Sequence, residues 1–184
     1  YDAYLANDRT FTDPPIFDVE RGAEVRLRLI NGAASSNFLI DLGAAEGTLV
    51  SVDGNAVEPV RVRQVPLATS QRADIIVRLP RDGTALPVLA RGEGRALRAG
   101  FFLRPPGAAV TKIDEKGDRE TSALTLGLER TLRAATPLVE RRIDRSVPID
   151  LIGNMMDYTW GIQVNGLAGA PVTVAHRERV ELVM

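Results

Sequence analysis

The chain has 184 residues, of which 45% are hydrophobic and 26% charged, with a formal net charge of −1, one histidine and no cysteine. This length suits one complete sandwich domain plus part of another. Near-neutral charge and 5% aromatic content argue against a nucleic-acid-binding protein, since 23 basic residues are interspersed with 24 acidic ones. The absence of cysteine excludes a disulfide framework. No apolar run reaches the roughly 20 residues of a membrane helix.

Alternating side chains predict an all-β fold from the first residues onward. A short strand candidate lies around residues 4–6, and strands joined by turns follow over residues 16–79. Apolar and charged residues alternate between Glu24 and Leu29, which is typical of a strand with one face in a core. The pair Asp53-Gly54 tolerates the positive φ of a tight hairpin turn. Two more strand candidates occupy residues 86–103.

Together these runs predict a two-sheet Greek-key β-sandwich over residues 16–103. Its side chains that we expect to face inward are Val25, Leu27, Leu29, Phe38, Ile40, Ile75, Val77 and Phe102.

The regular pattern stops at residues 104–107, and a different composition follows. Residues 108–120 are rich in charge with little to bury, which is typical of a linker. Leu128 and Leu132 lie one helical turn apart before Pro137, so we expect a short helix there.

The last part of the chain is a degraded copy of the beginning. Aligning Val180 with Val25 gives an offset of 155 residues, and Asn165-Gly166 similarly echoes Asn7-Asp8. On that offset Phe17, Val19, Val25 and Leu27 fall on Val172, Val174, Val180 and Leu182. A repeat of domain size predicts most of one sandwich followed by the first strands of a second. Since the chain opens at Tyr1 and stops at Met184 inside an alternation, we expect both ends to be cut.

The segments LANDRTFTDPPIFDVERGAEVRLRLINGA, VSVDGNAVEPV and SQRADIIVRLP resemble the middle cupredoxin-like domain of three-domain multicopper oxidases. This is the group of laccases, ascorbate oxidases and copper-resistance oxidases. The resemblance covers roughly residues 4–80, and WGIQVNG with VTVAHRERVELVM is similar to the opening of the family's third domain. It implies a cupredoxin-like middle domain over 1–107, a linker over 108–140 and the truncated start of the following domain over 141–184.

The resemblance also implies a function for the parent protein, namely oxidation of a substrate or metal ion coupled to reduction of O₂ to water. In this family the copper ligands are histidines and one cysteine of the first and third domains. The resemblance therefore implies copper in the parent, and no catalytic, cofactor-binding or metal-ligating residue in this segment. The flanking cupredoxin domains would be its partners, the cut strand edges could support self-association, and the parent would be periplasmic or secreted.

Candidate site residues are few, and each has a plain structural interpretation. His176 falls opposite Arg21 beside a turn, where a histidine is usually solvated. Ser35 and Ser36 lie in the loop 33–37 without a nucleophile elbow, and they stand where some laccases carry an acidic residue.

Two further groups could hold a metal but have a more ordinary interpretation. The acids of residues 114–120 lack EF-hand spacing, which favours a solvated linker. Met155 and Met156 could be soft copper contacts, but adjacent methionines more often fill gaps in a core.

Two other classes of protein remain open at this stage. The chain could belong to a copper-free scaffold or interaction protein of the cell-division type related to these oxidases, and the sequence beyond Met184 would distinguish the two. It could also be a free-standing β-sandwich binding module, which would need complete strands at both termini. Because half-built sheets expose edges and apolar surface, we expect the strands from Val147 onward to pack on the first sandwich or on a neighbouring chain.

Overall fold

A computed structural model describes residues 2–184 as a nearly all-β protein in two compact units. The first unit extends to Pro137 and the second runs from Leu138 to Met184. Tyr1, with which the predicted first domain begins, lies outside the described residues. Within residues 2–184, no helix is long and apolar enough to cross a membrane.

Over residues 2–137 the first unit contains nine strands and one short 3₁₀ helix. The strands are β1 (Ile16–Asp18), β2 (Glu24–Ile30), β3 (Phe38–Asp41), β4 (Gly47–Val52), β5 (Asn55–Val62), β6 (Gln64–Leu67), β7 (Arg72–Arg78), β8 (Leu86–Gly92) and β9 (Arg98–Arg104). They form a five-stranded sheet of order β1-β9-β8-β3-β6 and a four-stranded sheet of order β2-β7-β4-β5. All neighbours are antiparallel except β1 and β9, which run parallel. The predicted all-β sandwich class is confirmed.

The core lies between these two sheets and is closed by alternate side chains of each. Leu42, Leu49, Ile75 and Val77 are completely inaccessible to solvent. Of the side chains predicted to face inward, Leu27, Phe38, Ile40, Ile75, Val77 and Phe102 are buried, whereas Val25 and Leu29 are half-buried. The last two belong to β2, whose place at the end of its sheet leaves one flank of each side chain uncovered.

Two predicted turns adopt the backbone that their residues favour. Asp53 and Gly54 have φ of 51° and 86° and join β4 to β5. Asn7 and Asp8 likewise have positive φ, at 47° and 62°. The strand predicted around residues 4–6 is reduced to an isolated bridge between Ala6 and Arg9.

Residues 114–135 of the first unit, here named the covering segment, are joined to its strands by backbone hydrogen bonds. The amide of Glu58 donates to the carbonyl of Arg133 (2.9 Å), and the amide of Ala135 donates to the carbonyl of Ala56 (3.0 Å). The predicted short helix is present as a 3₁₀ turn, Glu129–Thr131. Flanking Leu128 and Leu132 pack against the core. The domain limits 1–107, 108–140 and 141–184 stay a prediction.

The second unit is a four-stranded sheet of order β12-β11-β10-β13. Its strands are β10 (Arg145–Asn154), β11 (Thr159–Val164), β12 (Leu167–Ala168) and β13 (Val180–Val183). Val172 and Val174, which the repeat aligns with Phe17 and Val19, form no strand. In the first unit the corresponding strand β1 is hydrogen-bonded to β9. Residues 138–184 contain no counterpart of β9, so this strand would have no partner there.

Candidate functional site

A groove of about 900 Å³ lies on the outer face of the five-stranded sheet, between that sheet and the covering segment. Strand alternation explains why its floor is chemically mixed. Phe38 and Ile40 point into the core, so Leu39 and Asp41 between them face the groove. Leu89 and Arg91 of β8 face it for the same reason.

Asp41 organises the polar half of the floor. Its Oδ2 accepts hydrogen bonds from Gln64 Nε2 (3.0 Å) and Arg91 NH1 (3.3 Å), and its Oδ1 accepts one from the amide of Gly43 (2.8 Å). The Asp41–Arg91 ion pair is half-buried. The charges of this pair cancel, and the apolar half of the floor consists of Leu39, Pro66 and Leu89.

Glu93 fixes the wall of the groove that the covering segment provides. Its Oε1 accepts a hydrogen bond from the amide of Leu124 (2.6 Å), and its Oε2 accepts one from Asn37 Nδ2 (2.8 Å). Because both bonds favour the ionised carboxylate, the Leu124 bond most strongly, they hold the pKa of Glu93 below its usual value of 4.5. A single carboxylate thus ties the covering segment to the loop before β3.

The side chains present do not fit a copper centre. The copper sites that the sequence resemblance implies for the parent protein need imidazole and thiolate ligands. The chain has one histidine and no cysteine. Within residues 2–184, no three His, Cys, Asp or Glu side chains come close enough together to hold a metal. The groove can accommodate an apolar or amphipathic group against Leu39 and Leu89, with polar contacts at its Asp41–Arg91 end.

The residues singled out in the sequence are dispersed. His176 is exposed in the turn formed by residues 175–178. Ser36 lies in a loop closed by Asn31, and its Oγ donates to the hydroxyl of Tyr4 (3.4 Å). The backbone carbonyl of Asp114 accepts a hydrogen bond from Arg98 Nε (2.5 Å), whereas the carboxylate side chain of Asp114 is exposed.

Met155 and Met156 are 71% and 87% exposed in the turn between β10 and β11, so their interpretation as core fillers is wrong for this structure. The turn brings them to the surface because Asn154 closes it locally. Its Oδ1 accepts from the amide of Met156 (2.8 Å) and its Nδ2 donates to Asp157 (2.7 Å).

Sequence reasoning missed Asp41 and Glu93. Each is one acid in a strand or a turn, and apart from the Gly43 amide beside Asp41 the groups that they bind are 23 to 56 residues away in the chain. Local pattern carries no signal for such pairs.

The family model for multicopper oxidases matches residues 1–99, more than half of the chain. The chain belongs to the multicopper oxidase family.

Relatives by sequence and by structure agree with this assignment. The multicopper oxidase MmcO of Mycobacterium tuberculosis is 28% identical over 164 residues, which are 88% of this chain and 32% of that protein. Copper resistance protein A of Escherichia coli is 35% identical over 40% of this chain and 12% of its own length. The crystal structure of Fet3p, a multicopper oxidase that functions in iron import, superposes with a TM-score of 0.60. That match has 14% identity and covers 83% of this chain and 30% of Fet3p, so it shows the shared cupredoxin-like fold. The chain thus spans about a third of the length of MmcO.

Proposed function

We propose that this chain is the middle domain, with the start of the third, of a copper-dependent oxidase that couples oxidation of a substrate or metal ion to reduction of O₂ to water. The observation that carries the proposal is the family match over residues 1–99, on two sheets of the family's fold. The parent enzyme holds copper with ligands from outside this segment, and the flanking cupredoxin domains are the segment's partners.

The segment's own contribution is mechanical. Its donor set, one exposed histidine and no cysteine, supports a role in spacing the copper-bearing domains. On this proposal the segment alone is inactive. The relationship to copper resistance protein A and to MmcO supports a periplasmic or secreted location for the parent.

Metal analysis tests the proposal. After incubation with Cu(II) and exhaustive dialysis, the purified 184-residue chain is expected to retain no stoichiometric copper and to show no intense blue absorption, because it lacks the thiolate responsible for that band. The longer protein with its flanking domains is expected to retain copper and to consume O₂ with a reducing substrate. Stoichiometric copper in the chain itself would contradict the assignment of this segment. A longer protein that binds no copper would instead favour the copper-free scaffold.

A further inference from the structure

Two arginines lie side by side on the floor of the groove. In the register of the five-stranded sheet, Arg91 of β8 is directly opposite Arg98 of β9. The adjacent pair Ala90 and Ala99 packs in or against the core, so both arginine side chains point to the outer face of the sheet. Both arginines line the groove, and both are half-buried. Like charges directly opposite on neighbouring strands are destabilising, so this pair calls for compensating negative charge.

One carboxylate of residues 2–184 pairs with this arginine couple, and it pairs with Arg91 alone. The distance from Arg91 NH1 to Asp41 Oδ2 is 3.3 Å, and the same oxygen also accepts a hydrogen bond from Gln64. Arg98 makes no ion pair with any residue that the structure describes. Its Nε donates to the backbone carbonyl of Asp114, and its terminal N–H groups have no hydrogen-bond partner within residues 2–184. The floor therefore carries one positive charge in excess.

The covering segment adds charges to the rim of the groove and not to its floor. Asp118, Arg119 and Glu120 line the groove as exposed residues. Neither of the two acids forms an ion pair in the described part of the chain. Water and salt screen exposed charges more strongly than charges on a half-buried floor. The excess charge beside Arg98 is therefore the charge that a ligand in the groove would meet.

The floor continues from the arginines into an apolar surface. Leu39, Pro66 and Leu89 line it, and all three are half-buried and so retain accessible surface. The register places Arg98, Arg91, Leu39 and Pro66 in one row across four neighbouring strands. Since neighbouring strands are about 4.8 Å apart, this row spans roughly 14 Å. That length suits a molecule with a charged head and an apolar body of one or two rings.

We propose that the groove binds a small organic carboxylate with an aromatic or other apolar body. The carboxylate binds the guanidinium groups of Arg91 and Arg98, whose planar N–H groups are suited to bidentate bonds with it. The apolar body lies over Leu39 and Leu89. Such a ligand neutralises the excess charge and also removes apolar surface from water, and an inorganic anion or a neutral molecule provides only one of these effects.

A titration followed by two-dimensional NMR tests the proposal on the 184-residue chain. The probe is 3-phenylpropionate, and its dissociation constant is expected to be no weaker than about 5 mM. The signals of the Leu39 and Leu89 amides and of the Arg91 and Arg98 Nε–H groups should shift together with that constant. No saturable shift, or shifts confined to residues outside the groove, would overturn the proposal.

Two comparison compounds separate the contributions of charge and apolar body. 3-Phenylpropionamide keeps the ring without the charge, and propionate keeps the charge without the ring. Each is expected to bind at least about tenfold more weakly than 3-phenylpropionate. Equal affinity for the amide would overturn the role of the arginines, and equal affinity for propionate would overturn the role of the apolar floor.

A pair of charge-matched variants tests the role of Arg98 itself. Arg98→Gln is expected to weaken binding of 3-phenylpropionate at least about tenfold, because it removes the excess charge from the floor. Arg95→Gln is the control, since Arg95 is exposed in the same β8–β9 connection and does not line the groove. Equal weakening in both variants would show that net charge alone matters and would overturn the proposal.

The bond from Arg98 to Asp114 also helps to hold the covering segment, so Arg98→Gln could unfold that segment. Should it do so, the comparison of the three compounds on the unsubstituted chain remains decisive. None of these measurements involves copper, oxygen or the flanking domains. Failure of the binding proposal is therefore distinct from failure of the proposed function.

Discussion

Asn31 shows how one buried polar side chain joins three parts of the sandwich. Its Nδ2 donates to the carbonyls of Ser36 (2.8 Å) and Leu67 (3.0 Å), and its Oδ1 accepts from the amide of Ala33 (3.0 Å). Only 4% of the residue is exposed. The side chain therefore replaces water for two carbonyls and one amide where β2 ends.

We expect Asn31→Ala to lower the free energy of unfolding by about 2–3 kcal/mol, because it leaves these buried groups without partners. Urea denaturation followed by circular dichroism measures the loss. Asn55→Ala is the matched control, since Asn55 is exposed and its substitution should change stability by less than about 0.5 kcal/mol. Similar losses for both variants would contradict the bridging role of Asn31.

Glu93 makes the attachment of the covering segment dependent on pH. Its folded-state pKa is lowered, so the folded protein binds this proton more weakly than the unfolded chain does. The stabilisation is complete above the usual glutamate pKa of 4.5, which applies to the unfolded chain, and is lost as pH falls through the lower folded-state pKa. The Tm difference between the wild type and Glu93→Gln should therefore be clear at neutral pH and shrink below about pH 4.

Glu20→Gln is the control for this measurement, because Glu20 is exposed at a turn. Asp18 and Glu178 also have lowered pKa values, from hydrogen bonds to Arg104 and Arg145. Both groups are present in the wild type and in the variant, so the difference between the two curves of Tm against pH cancels their contribution. A Tm difference independent of pH would show that the Glu93 carboxylate is not the group that titrates.

At the scale of elements, the covering segment is held by its leucines as well as by backbone bonds. Leu128 packs against the core, whereas Leu126, two residues earlier, is 64% exposed. We expect Leu128→Ala to lower the free energy of unfolding by about 1–2 kcal/mol through lost apolar burial, and Leu126→Ala to lower it by almost nothing. Limited trypsin digestion should cleave after Arg130 and Arg133 faster in the first variant only. Equal rates in the two variants would mean that the backbone bonds alone hold the segment.

Strands of the sandwich were predictable from sequence because their alternation is local. Leu27 of β2 and Ile75 of β7 are buried as that pattern indicates. Attachment of residues 114–135 was not predictable, since its bonds to Ala56 and Glu58 use backbone groups that any residue supplies. Asp41 and Glu93, the side chains that shape the groove, were missed for a related reason: their side-chain partners Gln64, Arg91 and Asn37 are distant in the chain.

Alternation of side chains also predicts a strand where the neighbouring strand that would pair with it is missing. Val172 and Val174 flank Thr173 in the alternation expected of a strand, yet they form none. A strand exists only through its ladder bonds to a neighbour, and the second unit contains nothing equivalent to β9. Exposure of Met155 and Met156 has a local cause instead, the tight turn that Asn154 closes.

At the scale of the whole molecule, the second unit exposes one apolar face of its hairpin. Leu151, Trp160 and Ile162 are 69%, 69% and 54% exposed, and Leu151 lies directly opposite Ile162. Trp160 covers Gly153, where a Cβ would come within 2.3 Å of its ring. An apolar face of this kind favours contact with another protein surface.

Trp160 is the only tryptophan of the chain, so its fluorescence reports on this face alone. We expect its emission to shift to shorter wavelength as concentration rises, together with association in sedimentation velocity. Trp160→Ser should weaken association, and Tyr158→Ser, at an 82% exposed residue of the adjoining turn, serves as the comparison. A monomer at all concentrations with water-exposed emission would contradict the expectation that these strands are covered.

The parallel pair β1–β9 has a consequence for the rate of folding. It joins Ile16 to Phe102, so the five-stranded sheet is completed only when two segments separated in sequence by the seven strands β2 to β8 come together. Closing so long a loop costs entropy before the contacts it brings are made, and β-sandwiches dominated by such pairings fold in roughly milliseconds to seconds. Until then the exposed edge of β9 is a place where a nascent chain can pair wrongly. We therefore expect this domain to be most open to mispairing during synthesis, before β1 has paired with β9.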